Sequence, residues 1–100
     1  ENDLYHRIYD ETARVPGNPW IPCTLWLAEH EIARAGSAAA LEGALDAVRW
    51  AKARATRSLV LPEQLDPYDG QHLSVAPLTW SHAQVISVVH AYLDARQKFR

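Results

Sequence analysis

The segment 56–78 constrains the fold most, because it is long, has no helical periodicity and separates two helical stretches. Four residues interrupt it: Pro62, Pro67, Gly70 and Pro77. Connections of this length are uncommon in compact domains and are usually either functional or disordered. Its many apolar residues favour order. We therefore expect an anchored, functional loop with a tight turn at 66–70 and short extended pieces on either side.

Helical spacing of apolar residues predicts the rest of the structure. A helix is expected to begin within Asn18–Pro22, where a possible cap and two prolines suit a first turn, and to continue through Cys23–Ala35. Ser37 is the expected N-cap of the next helix. The apolar stripe of that next helix is Leu41, Ala44, Leu45, Val48, Ala51 and Ala55. A last helix is predicted from Thr79 to Lys98, capped by Thr79 or Ser81, with an apolar face made of Val85, Val88, Val89, Tyr92 and Leu93. A short helix over Asp3–Arg14 completes an all-α prediction.

Charge and composition exclude several classes of function. Ten basic and 12 acidic residues give a net charge of −2, and no run of like charges would neutralise phosphates. We therefore expect neither nucleic acid nor a membrane surface as a partner. The five histidines lack the spacing of a zinc site, so no metal or cofactor is expected. The chain has no Met, which suggests a fragment or a processed piece. Nothing distinguishes a cytoplasmic from a secreted protein.

Glu63 is the candidate for chemistry within this loop. A loop glutamate is usually a solvated surface carboxylate. Here the apolar, stiff run Leu59-Val60-Leu61-Pro62 precedes it, so its backbone is expected to be held in place.

Two motifs resemble those of the glucoamylases, glycoside hydrolase family 15. The run from Pro62 to Ser74, followed by Leu78-Thr79-Trp80-Ser81, is similar to the family's E-Q, aspartate, glycine turn, L-S and L-T-W-S pattern. The segment from Asn18 to Leu25 is similar to the family's N-P-W-F-x-x-T-L. The two matches and the chain between them cover about four-fifths of the sequence.

The resemblance implies the C-terminal helices of an (α/α)6 barrel, a six-hairpin toroid, with the loop 56–78 carrying the site. It implies an inverting, exo-acting α-glucosidase that releases glucose from α-glucan ends, with Glu63 as general base and Ser74 supporting its carboxylate. Trp20 and Trp80 correspond to sugar-site tryptophans. Arg7 corresponds to a sugar-binding arginine, although isoleucine follows it where the family has tyrosine.

The family's general acid has no counterpart in this sequence. The resemblance thus implies that residues 1–100 are the C-terminal fragment of a single catalytic domain, inactive alone. Its partners would be an α-glucan oligosaccharide and the remainder of the domain, and exposed apolar surface would favour self-association. The alternative is a non-catalytic helical carbohydrate-binding or regulatory module. Trp20 is equally compatible with core packing, and Trp26 and Trp50 are assigned to the core.

Overall fold

The computed structural model of the protein describes residues 17–100, so the predicted helix Asp3–Arg14 and Arg7 lie outside the described residues. The described part is mostly helical, which confirms the all-α prediction at a coarse level. Its elements are α1 (Ile21–Arg34), α2 (Ala38–Arg54), β1 (Gln64–Leu65), β2 (His72–Leu73), α3 (Thr79–Arg96) and a 3₁₀ turn (Gln97–Phe99). No helix within residues 17–100 is long and apolar enough to cross a membrane.

Helix α1 begins at Ile21, within the first turn that the sequence predicts. Trp20 takes an extended N-cap conformation, with φ −107° and ψ 129°, and Pro22 occupies the first turn, where its missing N–H is not needed. The helix buries a stripe with helical spacing, made of Ile21, Leu25, Ala28 and Ile32. This stripe makes α1 the central helix, packed against both α2 and α3.

Helix α2 forms as its sequence predicts. The Ser37 hydroxyl accepts a hydrogen bond from the N–H of Ala40 at 3.1 Å, which confirms the N-cap. Leu41, Ala44 and Ala51 of the predicted stripe are buried. On the exposed side, Glu42 and Asp46 form a like-charge pair one turn apart. The Arg49 guanidinium donates to both carboxylates, at 2.8 and 2.9 Å, and so compensates their repulsion.

Helix α3 differs from the prediction at its start and along its apolar face. Within the described part of the chain, no side chain caps α3, and Leu78 is the N-cap residue. The prediction of Thr79 or Ser81 as cap was wrong, because the Ser81 hydroxyl donates instead to the carbonyl of Pro62 at 2.8 Å. Val88 is fully buried, but Val89 and Leu93 are 37% and 47% exposed. The inward face is therefore narrower than predicted, because α3 packs mainly against α1.

The segment between α2 and α3 is ordered by a small hairpin. Strands β1 and β2 pair antiparallel, and the Asp66 carboxylate accepts hydrogen bonds from the N–H groups of Tyr68 and Asp69 at 2.8 and 3.1 Å. Gly70 closes the turn with φ +74°, a conformation that glycine adopts without steric cost. The predicted turn and extended pieces are confirmed. Leu61 and Leu65 anchor the segment in the core, whereas Leu59, Tyr68 and Val75 are exposed.

His82 ties this segment to α3. Its Nε2 atom accepts a hydrogen bond from the N–H of Leu61 at 3.1 Å, so the neutral ring carries its proton on Nδ1. The Leu61 carbonyl in turn accepts from the N–H of Leu78 at 3.0 Å. Leu61 is thus bonded at both its backbone groups to residues at the start of α3.

We expect His82→Leu to lower the free energy of unfolding by about 1–3 kcal/mol, because the buried N–H of Leu61 loses its acceptor. His90→Leu is the matched control, since His90 lies exposed on the same helix. Urea unfolding of both variants measures the difference. Equal losses of stability in the two variants would contradict a structural role for the His82 ring.

A second contact joins α2 to α3 at the surface. The Tyr92 hydroxyl donates to the Glu42 carboxylate at 2.9 Å. Hydrogen bonds from Arg49 and Tyr92 lower the pKa of Glu42. The pKa of Tyr92 is raised chiefly because its phenol donates a hydrogen bond to the Glu42 carboxylate, which ionisation would remove.

Glu42→Gln is therefore expected to lower the pKa of Tyr92, since the largest cause of the upward shift is removed. NMR titration of the tyrosine ring carbons measures this pKa, and Tyr92→Phe identifies the signal. Asp46→Asn, which also removes a partner of Arg49, is the control that should leave Tyr92 nearly unchanged. An unchanged Tyr92 pKa in Glu42→Gln would show that the hydrogen bond does not persist in solution.

Candidate functional site

The backbone of Glu63 is hydrogen-bonded on both sides. Its N–H donates to the carbonyl of Val75 at 2.9 Å, and its carbonyl accepts from the N–H of Ile21 at 3.0 Å. The second of these bonds satisfies a first-turn N–H of α1, which has no partner inside its own helix. Glu63 thus lies between the hairpin and the start of α1, and its side chain is half-buried.

One oxygen of the Glu63 carboxylate accepts two hydrogen bonds. Oε1 accepts from the Ser74 hydroxyl at 2.9 Å and from the Gln64 side-chain amide at 2.6 Å. The Gln64 amide is itself held, because its oxygen accepts from the Asn18 side chain at 2.9 Å. Among residues 17–100, no donor contacts Oε2. The carboxylate is therefore fixed through one oxygen, and the other can accept a proton from a water molecule or a hydroxyl group.

Ser74 adopts a backbone conformation that is costly for its residue type. Its φ is +63°, in the left-handed region, directly after strand β2. This conformation costs a residue with a Cβ about 1–2 kcal/mol. Strain of this kind occurs often at functional sites, where the surrounding structure maintains it. At Ser74 it accompanies the hydrogen bond to Glu63.

The hairpin and the start of α1 bring Trp20 to the same region. Trp20 forms an isolated antiparallel bridge with Gln64, and the N–H of Leu65 donates to the carbonyl of Pro19 at 2.9 Å. The Trp20 residue is half-buried. Three of the residues singled out in the sequence, Trp20, Glu63 and Ser74, therefore lie on directly hydrogen-bonded segments.

Trp80 lies in the first turn of α3 and is 44% exposed. The hydroxyl of its neighbour Ser81 donates to the carbonyl of Pro62, the residue before Glu63. The Ser81 side chain thus links the first turn of α3 to the backbone next to Glu63. Arg7, the remaining candidate, falls outside the described residues.

Trp26 does not lie in the core. The prediction that it would was wrong, because the side chain is 46% exposed. Its indole packs against that of Trp80, with ring centroids 5.0 Å apart and planes at 59°. Its Nε1–H donates to the side-chain oxygen of Gln84 at 3.1 Å. Position 26 falls off the stripe formed by Ile21 and Leu25, which is the sequence signal for an outward-facing side chain. Trp50, also assigned to the core, does pack against it.

No group of three or more His, Cys, Asp or Glu side chains with the geometry of a metal site occurs within residues 17–100. Comparisons with protein-family models, curated proteins and solved structures found no match to this chain.

The strain at Ser74 predicts a difference between two variants that both lack the hydroxyl. Ser74→Gly should be more stable than Ser74→Ala by about 0.5–1 kcal/mol, because glycine adopts a positive φ without the steric cost that alanine has. The greater conformational entropy of glycine in the unfolded chain offsets only part of this difference. Chemical denaturation of the two variants gives the difference. A more stable alanine variant would mean that Ser74 has no left-handed conformation in solution.

Proposed function

We propose that this chain is the C-terminal part of a glucoamylase-like catalytic domain with an (α/α)6 barrel, an inverting, exo-acting α-glucosidase that releases glucose from α-glucan ends. The motif resemblance supports the family and the barrel. The observation that carries the proposal is the 2.9 Å hydrogen bond from Ser74 to Glu63. The resemblance implies this contact between two residues eleven positions apart, and it is present.

In the proposed reaction Glu63 is the general base. A water molecule attacks the anomeric carbon, Glu63 accepts its proton, and the bond to the leaving oxygen breaks as a general acid protonates that oxygen. The two carboxyl groups of an inverting glycosidase lie about 6.5–9.5 Å apart, which leaves room for the water. The donors on Oε1, from Ser74 and Gln64, hold the carboxylate in place and leave Oε2 for the water. The general acid would come from the remainder of the domain.

Trp20 and Trp80 are proposed to contact the sugar. An indole offers an apolar face to a pyranose ring and an N–H to a hydroxyl group. The partial exposure of both residues is compatible with this role, because a sugar can reach them from solvent.

Exposed apolar side chains on α3 favour the proposal that the chain is part of a larger domain. Ile86, Val89 and Leu93 are 60%, 37% and 47% exposed and repeat at helical spacing on one side of the helix. In the proposed barrel, other helices of the domain cover these side chains. In the isolated chain the same residues would favour self-association.

A non-catalytic carbohydrate-binding or regulatory module is the second candidate. The exposed pair Trp26 and Trp80 favours it, because two indoles can bind a sugar without a general acid. The two candidates differ in whether Glu63 affects turnover in the complete protein.

In the complete domain, Glu63→Gln is expected to lower turnover of maltose by about 10²–10⁴-fold, because an amide cannot accept the proton of the attacking water. Sugar affinity should change little, since the side chain keeps its shape. Glucose release and calorimetric titration measure the two effects. Glu31→Gln, an exposed carboxylate on α1, is the matched control.

Near-normal turnover of Glu63→Gln would refute the assignment of the base. The 100-residue chain alone should release no glucose from maltose, because it lacks the acid. Glucose release by that chain would contradict the proposal that the general acid and the general base lie in two different parts of one domain.

A further inference from the structure

Trp26 contacts two side chains that lie one turn apart on α3. Trp80 and Gln84 lie four positions apart in the sequence and therefore on the same face of that helix. Trp26 projects from α1 and contacts both of them, Trp80 through its ring and Gln84 through its Nε1–H. A single side chain of α1 thus bridges one full turn of α3.

These two contacts restrain the indole of Trp26 in different ways. The ring contact, at 5.0 Å and 59°, is a tilted arrangement that aromatic pairs favour over face-to-face stacking. The 3.1 Å hydrogen bond to Gln84 restricts rotation of the indole, because a flipped ring would point Nε1 away from its acceptor. Gln84 is only 8% exposed and is itself held within the helix packing. Trp26 therefore presents a fixed surface to Trp80.

We propose that Trp26 is a positioning residue that sets the plane of the Trp80 indole, with Gln84 as its anchor. The proposal rests on the proposed function for what Trp80 binds, which is the ring of an α-glucan sugar. Stacking on a sugar requires the indole face at one angle, and a ring already held at that angle loses less conformational freedom on binding. A residue that served only to fill the core would not be 46% exposed with its polar atom hydrogen-bonded to the neighbouring helix.

The orientation of the two indoles can be measured without any activity. Two indoles in contact give an exciton couplet in circular dichroism, whose amplitude depends on their distance and angle. Trp26→Phe and Trp80→Phe should each abolish the couplet, whereas Trp50→Phe, which removes an indole on α2, should leave it unchanged. Thermal unfolding of each variant reports whether it is folded.

Gln84 provides the decisive variants. Gln84→Leu removes the acceptor and should abolish most of the couplet, while Gln84→Glu keeps an acceptor oxygen and should restore it. In the unaltered chain, the Nε1–H of Trp26 should exchange with solvent more slowly than a free indole, and Trp26→Phe identifies its NMR signal. This second measurement applies even where Gln84→Leu does not fold. A full couplet in Gln84→Leu, or exchange as fast as that of a free indole, would overturn the positioning role.

Titration with maltotriose separates this inference from the proposed function. Severalfold weaker binding by Gln84→Leu, together with the loss of its couplet, supports both. A couplet that depends on Gln84 in a protein that binds no maltotriose supports the positioning role alone and counts against the sugar site.

Discussion

The hydrogen bonds of segment 61–65 hold the described structure together. Leu61 is bonded through its N–H and its carbonyl to residues at the start of α3, and the carbonyl of Glu63 and the N–H of Leu65 are bonded to the start of α1. Because buried backbone groups require partners, these contacts fix the segment against both helices at once. Glu63 therefore occupies a defined place between two helix starts, although it lies in a stretch without helical structure.

The position of the carboxylate follows from this arrangement. With the backbone of Glu63 bonded to Val75 and Ile21, the hairpin brings Ser74 back to the carboxylate, and the left-handed conformation of Ser74 accompanies that contact. Trp80 lies in the first turn of α3, which the hydroxyl of Ser81 attaches to the carbonyl of Pro62. A chain with so short a hairpin can therefore hold a carboxylate, a supporting hydroxyl and an aromatic surface on connected segments. This is the physical basis of the proposed general base.

Features decided by local sequence were predictable, and features decided by contacts between elements were not. The Ser37 cap, the stripe of α2 and the turn at 66–70 depend on neighbouring residues, and the structure confirms them. The hydroxyl of Ser81 is a good capping group by its position in the sequence, but it donates a hydrogen bond to the Pro62 carbonyl instead. The surroundings of Trp26 likewise depend on how closely α3 approaches α1. The resemblance pointed to Glu63 and Ser74, while the pairing of Trp26 with Trp80 required the structure.

The stereochemistry of the released glucose tests the proposed role of Glu63 most directly. NMR of maltotriose hydrolysis by the complete domain, recorded before the product mutarotates and before the maltose formed is itself cleaved, identifies the anomer of the glucose released from the non-reducing end. A base that activates water on the face opposite the leaving group inverts the anomeric carbon, so β-glucose is the expected product. Initial release of α-glucose would mean that the reaction proceeds with retention, and it would contradict the assignment of Glu63 as the base of an inverting enzyme.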